Sequence, residues 1–436
     1  MNQFLVYLEK VMLPVAEKIG NQRHLQSIRD GLILLMPFVI IGSLFLIIAT
    51  LPIPGYKEMI KELFGEKLSY PVTATMDIMG LIASVGIAYR LAERYKVDAL
   101  SAGVISLSAF LLATPQTLDF TPEGAKQAVE VTGVIPVMWM GSKGIFVAMV
   151  LAILSTEIYR WFVQKKLVFK MPAGVPPSVT KSFAAIVPGL VVLTIVWLLR
   201  LLIEQTEFGN IHNIIAALLS EPLKQLGGSL IGTLIAVLLM QLFWSIGIHG
   251  DAVVGSVMLP VYLSLMDENR KVFEADPGAD LPNVITSQFI DLWINMGGSG
   301  TTFALVFLML FAARSRQMKG LGRVAIGPGL FNINEPVIFG TPIVMNPLFI
   351  IPFILTPIAM VLVTYFAMSS GLVGKPTGVA IPWTTPILFS GYLATGKISG
   401  SILQVVNFFI ALAIYYPFFR IWDRQRLQEE KTEEKK

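Results

Sequence analysis

The sequence contains no cysteine among its 436 residues. This absence excludes disulfide bonds, thiolate nucleophiles and cysteine-ligated metal sites, so any covalent relay through a thiol would have to come from another chain. Its three histidines, His24, His212 and His249, are too scattered along the chain to predict a metal site. We therefore expect neither a metal nor another cofactor.

Charged residues are scarce as well. They make up 14% of the chain, against 54% hydrophobic residues, whereas a soluble domain carries roughly 25% charged residues. Eight uncharged stretches reach or approach the roughly 20 residues that an apolar helix needs to cross a bilayer, and they are 31–56, 99–118, 182–199, 225–250, 292–313, 336–374, 376–396 and 398–419. With further spans around 73–90 and 134–156, the sequence predicts an all-α polytopic membrane protein of about ten transmembrane helices.

Basic residues are concentrated in two of the intervening segments. The segment 157–181 carries five Lys or Arg residues against one Glu, and 314–323 carries four and no acidic residue. Under the positive-inside rule these segments and the N-terminus are predicted to be cytoplasmic. This topology accounts for the basic residues without a nucleic-acid partner, and it predicts a multi-pass membrane protein.

The second half of the chain is less regular than the first. A 15-residue apolar piece, Ala252–Met266, is followed by a predicted polar loop, Asp267–Asp280, and by the segment Leu281–Met296. These lengths favour re-entrant hairpins or broken helices over full spans. The segment 324–341, which Gly and Pro interrupt, has the same character. Irregular backbone at membrane depth is tolerated only inside protein or beside a wet cavity, so these pieces predict a binding site.

Two amphipathic segments are predicted to lie at the membrane interface. One follows apolar residues at helical spacing near the N-terminus, and the other lies near 205–226; their apolar residues are Phe4, Leu8, Val11, Val15 and Ile19, and Ile211, Ile214, Ile215, Leu218 and Leu219. The second segment marks a predicted boundary. It separates a five-helix half, 1–205, from a half that holds the irregular pieces, 206–425, which a charged cytoplasmic tail, 426–436, follows.

Glu335 is the most informative single residue. It lies between eleven uncharged residues and thirty-nine more, and an ionisable side chain at the bilayer centre costs about 2.5 to 3.5 kcal/mol on insertion scales. It is either a buried carboxylate that pairs with an Arg or caps a helix, or a substrate ligand and base. We favour the second, because Asn332 and Asn334 add amides that can bind hydroxyls and Pro336 ends a helix beside it.

His249 lies at the end of an uncharged stretch, between Gly247 and Gly250. The flanking glycines allow a helix break or a close backbone approach, which favours a functional role. Asp251, two residues on, either orients the imidazole or marks the end of the helix. Trp244 lies five residues before His249 and is a further candidate.

The other candidate ligands are Asn295, which precedes the Gly-rich turn 297–300, and Trp383 between Pro382 and Thr384. The turn lacks the spacing and the Lys of a nucleotide-binding P-loop. Amides, an imidazole, a carboxylate and an indole together suit a polyhydroxyl ligand better than an ion, because sugars need many hydrogen-bond partners and a flat apolar platform.

Three motifs resemble one family, the enzyme IIC membrane subunits of the phosphoenolpyruvate-dependent sugar phosphotransferase system, of the lactose, cellobiose and N,N'-diacetylchitobiose type. They are Phe331–Pro342 around Asn-Glu-Pro, the loop Lys170–Val179 with Ser182 and Phe183, and His24–Gly31 leading into Met36, Pro37, Gly42 and Ser43. The resemblance covers essentially the whole chain, and within the family it is greatest to a diacetylchitobiose permease subunit.

The resemblance implies a permease subunit that carries a disaccharide into the cytoplasm while a phosphocysteine of enzyme IIB phosphorylates it in trans, with enzyme IIA further upstream. It also implies a bacterial inner or plasma membrane protein. The first half, 1–205, would be the scaffold that forms a homodimer, and the second half, 206–425, would bind and transport the sugar. Glu335 and His249 would contact the C6 hydroxyl of the non-reducing sugar as catalytic residues. Asn295, Asn334, Trp383 and Trp244 would supply further sugar contacts.

Two other functions remain open on the residues alone. An ion-coupled secondary sugar transporter would use Glu335 as a proton carrier and would not phosphorylate its sugar. A membrane glycan-processing enzyme is less favoured, since the paired carboxylates of glycoside chemistry are absent from any one motif. Whether the protein is itself called an enzyme depends on this choice, and the residues leave the identity of the disaccharide open.

Overall fold

The computed structural model describes Pro14, Lys18, 21–49, 56–121, 127–172, 174–341, 343–344 and 346–433. In these ranges regular structure is almost entirely helical, which confirms the all-α class. The one sheet in the described part of the chain is an antiparallel hairpin of β1 (Thr117–Phe120) and β2 (Val129–Thr132), and both strands are exposed.

The described chain divides into two compact units, Gln22–Leu223 and the part from Lys224 onward. The sequence places the boundary earlier, after residue 205, and the roles predicted for the two halves stay predictions. The helices that begin in the first unit are α1 (Arg23–Ile33), α2 (Met36–Ala49), α3 (Tyr56–Phe64), α4 (Tyr70–Thr73), α5 (Met79–Tyr95), α6 (Ala99–Ala113), α7 (Ile145–Gln164), α8 (Pro177–Ala184), α9 (Ile186–Glu204), α10 (Ile211–Ile215) and α11 (Glu221–Gly227).

The second unit contains most of the irregular backbone. Its helices are α12 (Leu230–Ser245), α13 (Gly250–Ala275), α14 (Ser287–Phe289), α15 (Phe303–Phe311), α16 (Arg316–Leu330), α17 (Glu335–Gly340), α18 (Pro347–Ser369), α19 (Phe389–Thr395) and α20 (Ile398–Glu433). One π-helical turn, Ile290–Ile294, continues α14, and another, Ala216–Ser220, joins α10 to α11. Short 3₁₀ turns cover Gly65–Ser69, Val137–Trp139 and Ser142–Gly144.

Helix length and hydropathy agree with a membrane protein. Five helical segments of the described chain are long and apolar enough to cross a bilayer, and they are Arg23–Ala49, Ser142–Gln164, Pro177–Glu204, Pro347–Ser369 and Ile398–Glu433. The pair Ile211–Gly227 and Leu230–Ser245 adds a sixth if it is one broken span. Together with α5, α6, α13 and α15, which are shorter or more charged, the helices are consistent with the predicted count of about ten.

The prediction of a polar loop at Asp267–Asp280 is wrong for most of that segment, because α13 continues to Ala275. The reason is a set of side-chain pairs at helical spacing. The buried guanidinium of Arg270 lies 2.7 Å from a carboxylate oxygen of Asp267 and 2.9 Å from one of Glu274. These i,i+3 and i,i+4 pairs satisfy the charges within the helix. A high density of charged residues was therefore not a sign of a loop here.

The stretch 376–396, counted as a span, is not one helix. Only Phe389–Thr395 is α-helical there, and the backbone before it is irregular up to Leu388. Three prolines in this stretch, Pro376, Pro382 and Pro386, remove amide donors and restrict the residues before them, which disfavours a continuous helix. The break predicted within 324–341 is observed, and it lies between α16 and α17 at residues 331–334.

The second predicted interfacial segment is helical from Ile211 to Gly227 and has buried and exposed sides. The first, from Phe4 to Ile19, falls on residues outside the described ranges, apart from Pro14 and Lys18. Many apolar side chains on the long helices are exposed, among them Leu190 and Leu202 on α9 and Ile231 on α12. Such surfaces suit contact with lipid and not with water.

Candidate functional site

The junction between α12 and α13 positions His249. The chain leaves helical geometry after Ser245, passes through Gly247 at φ +83°, and re-enters a helix at Gly250 with His249 as its N-cap. The His249 Nδ1 accepts a hydrogen bond from the backbone N of Ala252 at 3.2 Å. In the neutral ring the proton is then on Nε2, and because the residue is exposed this nitrogen can donate to a ligand oxygen.

Trp244 supports the imidazole from the end of α12. Its ring centroid lies 4.4 Å from that of His249, and its indole nitrogen donates to Oδ2 of Asp251 at 2.7 Å. Trp244 is 4% exposed. With its one polar atom engaged and its ring nearly buried, it serves mainly to hold His249 in place.

Asp251 connects three segments of the second unit. Besides Trp244, its carboxylate accepts hydrogen bonds from Nδ2 of Asn295, at 3.3 Å, and from Oγ of Ser299. The sequence offered two roles for Asp251, an orienter of the imidazole or a helix-end marker. The structure shows it in the first turn of α13 and in contact with the Gly-rich turn, so it orients His249 only through Trp244.

The Gly-rich turn is held against the Asn-Glu-Pro segment. Asn334 is buried, and its Nδ2 donates to the backbone oxygen of Ser299 at 2.6 Å. Oδ1 of Asn332 accepts the backbone N–H of Gly297 at 2.7 Å. Gly298, at φ +92°, lies so close that a Cβ there would be 2.4 Å from Cγ of Asn334. The amide groups of both asparagines are therefore engaged by the turn.

Glu335 occupies the first position of α17 and is exposed. Its carboxylate makes neither a hydrogen bond nor an ion pair with another side chain or amide of the described chain. Glu335 therefore does not form the buried ion pair that the sequence left open as an alternative. The neighbours that precede Glu335 are fixed, since Asn332 adopts φ +62° and is bonded on both sides of its amide. The backbone positions the carboxylate and leaves it available.

Trp383 is adjacent to the same segment. Its backbone oxygen accepts a hydrogen bond from Nδ2 of Asn332 at 2.5 Å, while its side chain is 46% exposed. An indole that is anchored by its backbone and open on its surface suits stacking against a sugar ring better than the buried Trp244 does.

All six predicted site residues thus belong to one connected set within the second unit. The set runs from His249 through Trp244 and Asp251 to Asn295 and Ser299, and from there through Asn334 to its chain neighbour Glu335 and, by way of Asn332, to Trp383. The sequence did not identify Ser299 or the linking role of Asp251. The one available signal was the charge of Asp251 at the end of a long uncharged stretch.

The two other histidines are outside this set. His24 contacts Glu157 at 2.8 Å, and Nε2 of the buried His212 contacts the hydroxyl of Thr114 at 2.9 Å. Within the described ranges no group of three or more His, Cys, Asp or Glu side chains is arranged to hold a metal ion.

These features define a class. The protein is an α-helical polytopic membrane protein whose polar site, rich in hydrogen-bonding groups, lies among broken helices in one half of the chain, as in carriers of small polar solutes. A comparison with protein families matches residues 29–357 to "Phosphotransferase system, EIIC". The chain belongs to this family: it is an EIIC permease component of a phosphotransferase system, and so a bacterial membrane protein.

Individual relatives match over nearly their full lengths. The chain is 64% identical to the "PTS system cellobiose-specific EIIC component" of Geobacillus stearothermophilus, over 99% of this chain and 97% of the relative. It is 56% identical to the "Lichenan permease IIC component" of Bacillus subtilis, over 99% and 96%. The crystal structure of the transporter ChbC, the IIC component from the N,N'-diacetylchitobiose-specific phosphotransferase system, has TM-score 0.94 and 60% identity, over 98% of this chain and 99% of that chain.

Proposed function

We propose that this permease component carries a β-linked disaccharide of the cellobiose or diacetylchitobiose kind into the cytoplasm. The relatives named for cellobiose and diacetylchitobiose support this substrate class. So does the set of available groups, which combines an imidazole, a carboxylate, amides and an open indole. One observation carries the proposal: the connected set holds Glu335 and Nε2 of His249 in place without hydrogen-bonding them to other described residues.

Glu335 acts as the general base. As the phosphoryl group leaves the phosphocysteine sulfur of enzyme IIB, the S–P bond breaks, an O–P bond forms to the sugar hydroxyl, and the hydroxyl proton passes to the Glu335 carboxylate. The thiolate of enzyme IIB is the leaving group, which fits a chain that has no cysteine of its own. His249 donates from Nε2 to the same hydroxyl oxygen or to the ring oxygen beside it and so fixes its orientation.

The remaining residues bind the sugar or hold those that do. Trp383 supplies a stacking platform. Asn295 donates one amide hydrogen to Asp251 and keeps the rest of its amide for a hydroxyl. Asn334 and Trp244 contact the sugar, if at all, through the atoms that their supporting bonds leave open. Substitution of Asn295 or Trp383 should therefore weaken sugar binding directly, through the loss of groups that contact the sugar.

Glu335→Gln tests the catalytic proposal. The amide keeps the size and hydrogen-bonding reach of the side chain but cannot take a proton, so sugar phosphorylation by phosphorylated enzyme IIB should fall by about 10² to 10⁴ fold. Sugar binding should weaken much less, by about tenfold, because one charged hydrogen bond becomes neutral. Both are measured with radiolabelled disaccharide on purified protein.

The matched control is Glu221→Gln, since Glu221 is likewise an exposed glutamate in the first turn of a helix. It should leave phosphorylation unchanged. A Glu335→Gln protein that phosphorylates at the normal rate would remove Glu335 from the mechanism, while the family membership would stand.

We further propose that the protein is a homodimer formed through the half 1–205 and that its N-terminus is cytoplasmic. A dimer has about twice the chain mass of 47.9 kDa, which light scattering of the purified protein measures. Because the chain has no cysteine, Lys166→Cys introduces a single thiol in the exposed turn after α7, and Asp119→Cys introduces one in the exposed strand β1. An impermeant maleimide added to intact cells should label the thiol at position 119 and not that at 166. The opposite pattern would contradict a cytoplasmic N-terminus.

A further inference from the structure

An open apolar groove lies in the second unit, away from the sugar site's residues. It runs between α15 and α20 and has a volume of about 510 Å³. Phe307 and Phe311 line one wall, and Leu412 and Tyr416 line the other. Phe311 is 68% exposed and Tyr416 is 50% exposed. Since its lining is apolar or aromatic and open on one side, this groove suits contact with lipid.

One end of the groove is basic on both walls. Along α20, Leu412, Tyr416, Arg420 and Arg424 recur at intervals of four residues, so each lies beside the next in one row along the helix. On the other wall, Arg314 follows the end of α15. The row that lines the groove on α20 thus continues into arginine side chains.

A buried carboxylate ties the two walls together at this end. Both oxygens of Asp423 accept the backbone N–H of Arg314 at 3.0 Å, and Oδ1 also accepts that of Ser315 at 3.0 Å. Asp423 lies next to Arg424 and 3.9 Å from the Arg420 guanidinium. Its oxygens are occupied by backbone donors. Glu430 lies at the same end and accepts hydrogen bonds from the Ser315 hydroxyl and from the backbone N–H groups of Arg316 and Gln317. Both carboxylates at this end are thus engaged by the segment that follows α15, and Arg314, Arg420 and Arg424 add positive charge beside them.

These guanidinium groups are free to bind a further anion. The side chains of Arg314 and Arg424 are exposed and form no hydrogen bond or ion pair with the described part of the chain. Guanidinium groups bind phosphate through paired N–H donors, and basic pockets between membrane helices bind the head groups of anionic lipids.

We propose that this groove binds one anionic phospholipid. An acyl chain lies along Phe307 and Phe311 on one side and Leu412 and Tyr416 on the other, and the lipid phosphate contacts the arginines at 314, 420 and 424. Charge complementarity selects this occupant, because a zwitterionic lipid brings a cation to the same spot and a purely apolar protein surface would leave the arginines unpaired.

Lipid binding to delipidated protein in detergent provides a test of this site. It is titrated with dioleoyl-phosphatidylglycerol or with dioleoyl-phosphatidylcholine, and bound lipid is counted by native mass spectrometry. One phosphatidylglycerol should remain bound at concentrations at which phosphatidylcholine dissociates. Each arginine near the head group contributes about fivefold in affinity. Arg424→Gln should therefore weaken phosphatidylglycerol binding about fivefold, and the double variant with Arg420→Gln should weaken it about 25-fold.

Two further variants make the test specific. Ala413→Trp fills the groove without changing charge, and it should reduce retention of the bound lipid while the exposed position keeps the fold intact. Arg323→Gln removes an exposed arginine of α16 outside the groove and should leave binding unchanged. Thermal unfolding without lipid shows whether each variant is folded. If the double variant is unfolded, the single variant Arg424→Gln still tests the role of the arginines.

Three results would overturn the proposal. Equal retention of both lipids would mean that only non-specific annular lipid covers the groove. A loss with Arg323→Gln as large as that with Arg424→Gln would mean that the whole basic surface, and no single site, attracts the lipid. If Ala413→Trp changed the mass of the oligomer and not lipid binding, a second copy of the chain would occupy the groove.

Discussion

The carboxylate of Asp251 accepts hydrogen bonds from Trp244, Asn295 and Ser299, which come from separate segments of the second unit. Hydrogen bonds to a charged acceptor contribute about 1.5–3 kcal/mol each, and they also fix geometry. Through Trp244 the carboxylate sets the position of His249, and through Ser299 it sets that of Asn334. It is a positioning residue for the proposed sugar site.

Asp251→Asn should therefore weaken disaccharide binding by about tenfold or more and lower the melting temperature. The asparagine side chain is nearly isosteric, but its NH₂ group faces donors, so at least one of the three bonds is lost. Binding is measured by titration with radiolabelled sugar and stability by thermal unfolding. Asp280→Asn, at an exposed carboxylate that pairs with Lys375 on the surface, should change neither. Unaltered binding in Asp251→Asn would contradict the positioning role.

Residues whose chemistry conflicts with their surroundings could be predicted from the sequence. Glu335 is a charge in an apolar stretch, and His249 lies between glycines, so both stood out locally. Asp251 could not be assigned in the same way, because two of its partners are 44 and 48 residues away and neither carries a charge. Which side chains of the site bind sugar and which support others depends on such distant contacts.

At the scale of helices and loops, local sequence also predicted part of the structure and missed features that depend on side-chain pairing or on proline. Periodicity and uncharged length predicted the long helices, and the interruptions at Gly and Pro predicted the broken ones. They failed for α13, whose charged end was taken for a loop, because a buried network of Asp267, Arg270 and Glu274 satisfies the charges within the helix. They also failed at 376–396, where composition indicated a span but prolines prevent a continuous helix.

Arg270→Met measures what that network contributes. Removing the guanidinium, which is 1% exposed, takes from the fully buried Asp267 its buried cationic partner, while the more exposed Lys271 still pairs with it. Breaking a buried pair by removing one member costs about 3–5 kcal/mol, so thermal unfolding in detergent should occur at a clearly lower temperature.

Lys271→Met is the matched control, since Lys271 is half-exposed and Arg270 still pairs with Asp267 when it is removed. Its effect should be below about 1 kcal/mol. The double variant Asp267→Leu/Arg270→Met should recover part of the stability, because no unpaired buried charge remains. An Arg270→Met protein as stable as the Lys271→Met protein would show that the network contributes little.

The Gly-rich turn gives a second prediction at this scale. Gly298→Ala places a Cβ 2.4 Å from Cγ of Asn334 on a backbone at φ +92°, so the turn or the segment carrying Glu335 has to move. We expect sugar phosphorylation to fall at least tenfold. Gly255→Ala in α13 is the control, since a Cβ there meets no atom within 4 Å, and it should be neutral or slightly stabilising. Equal activity of the two variants would mean that the turn does not position the site.

At the scale of the whole molecule, class and family follow from features spread along the chain. The apolar stretches define a polytopic membrane protein, and the match over residues 29–357 places it among the EIIC components. The site occupies the unit that begins at Lys224 and holds most of the broken helices. A carrier of this kind can concentrate its sugar either by modifying it or by coupling to an ion gradient, and the two mechanisms use Glu335 differently.

Uptake into sealed proteoliposomes distinguishes these mechanisms most directly. Purified protein is reconstituted, phosphorylated enzyme IIB is enclosed inside, and radiolabelled cellobiose or diacetylchitobiose is added outside. If the permease phosphorylates its sugar, the internal label will be sugar phosphate, formed with one phosphocysteine consumed per sugar, and a pH or sodium gradient without phosphorylated enzyme IIB will give no accumulation. Unmodified sugar concentrated inside by either gradient alone would contradict this mechanism.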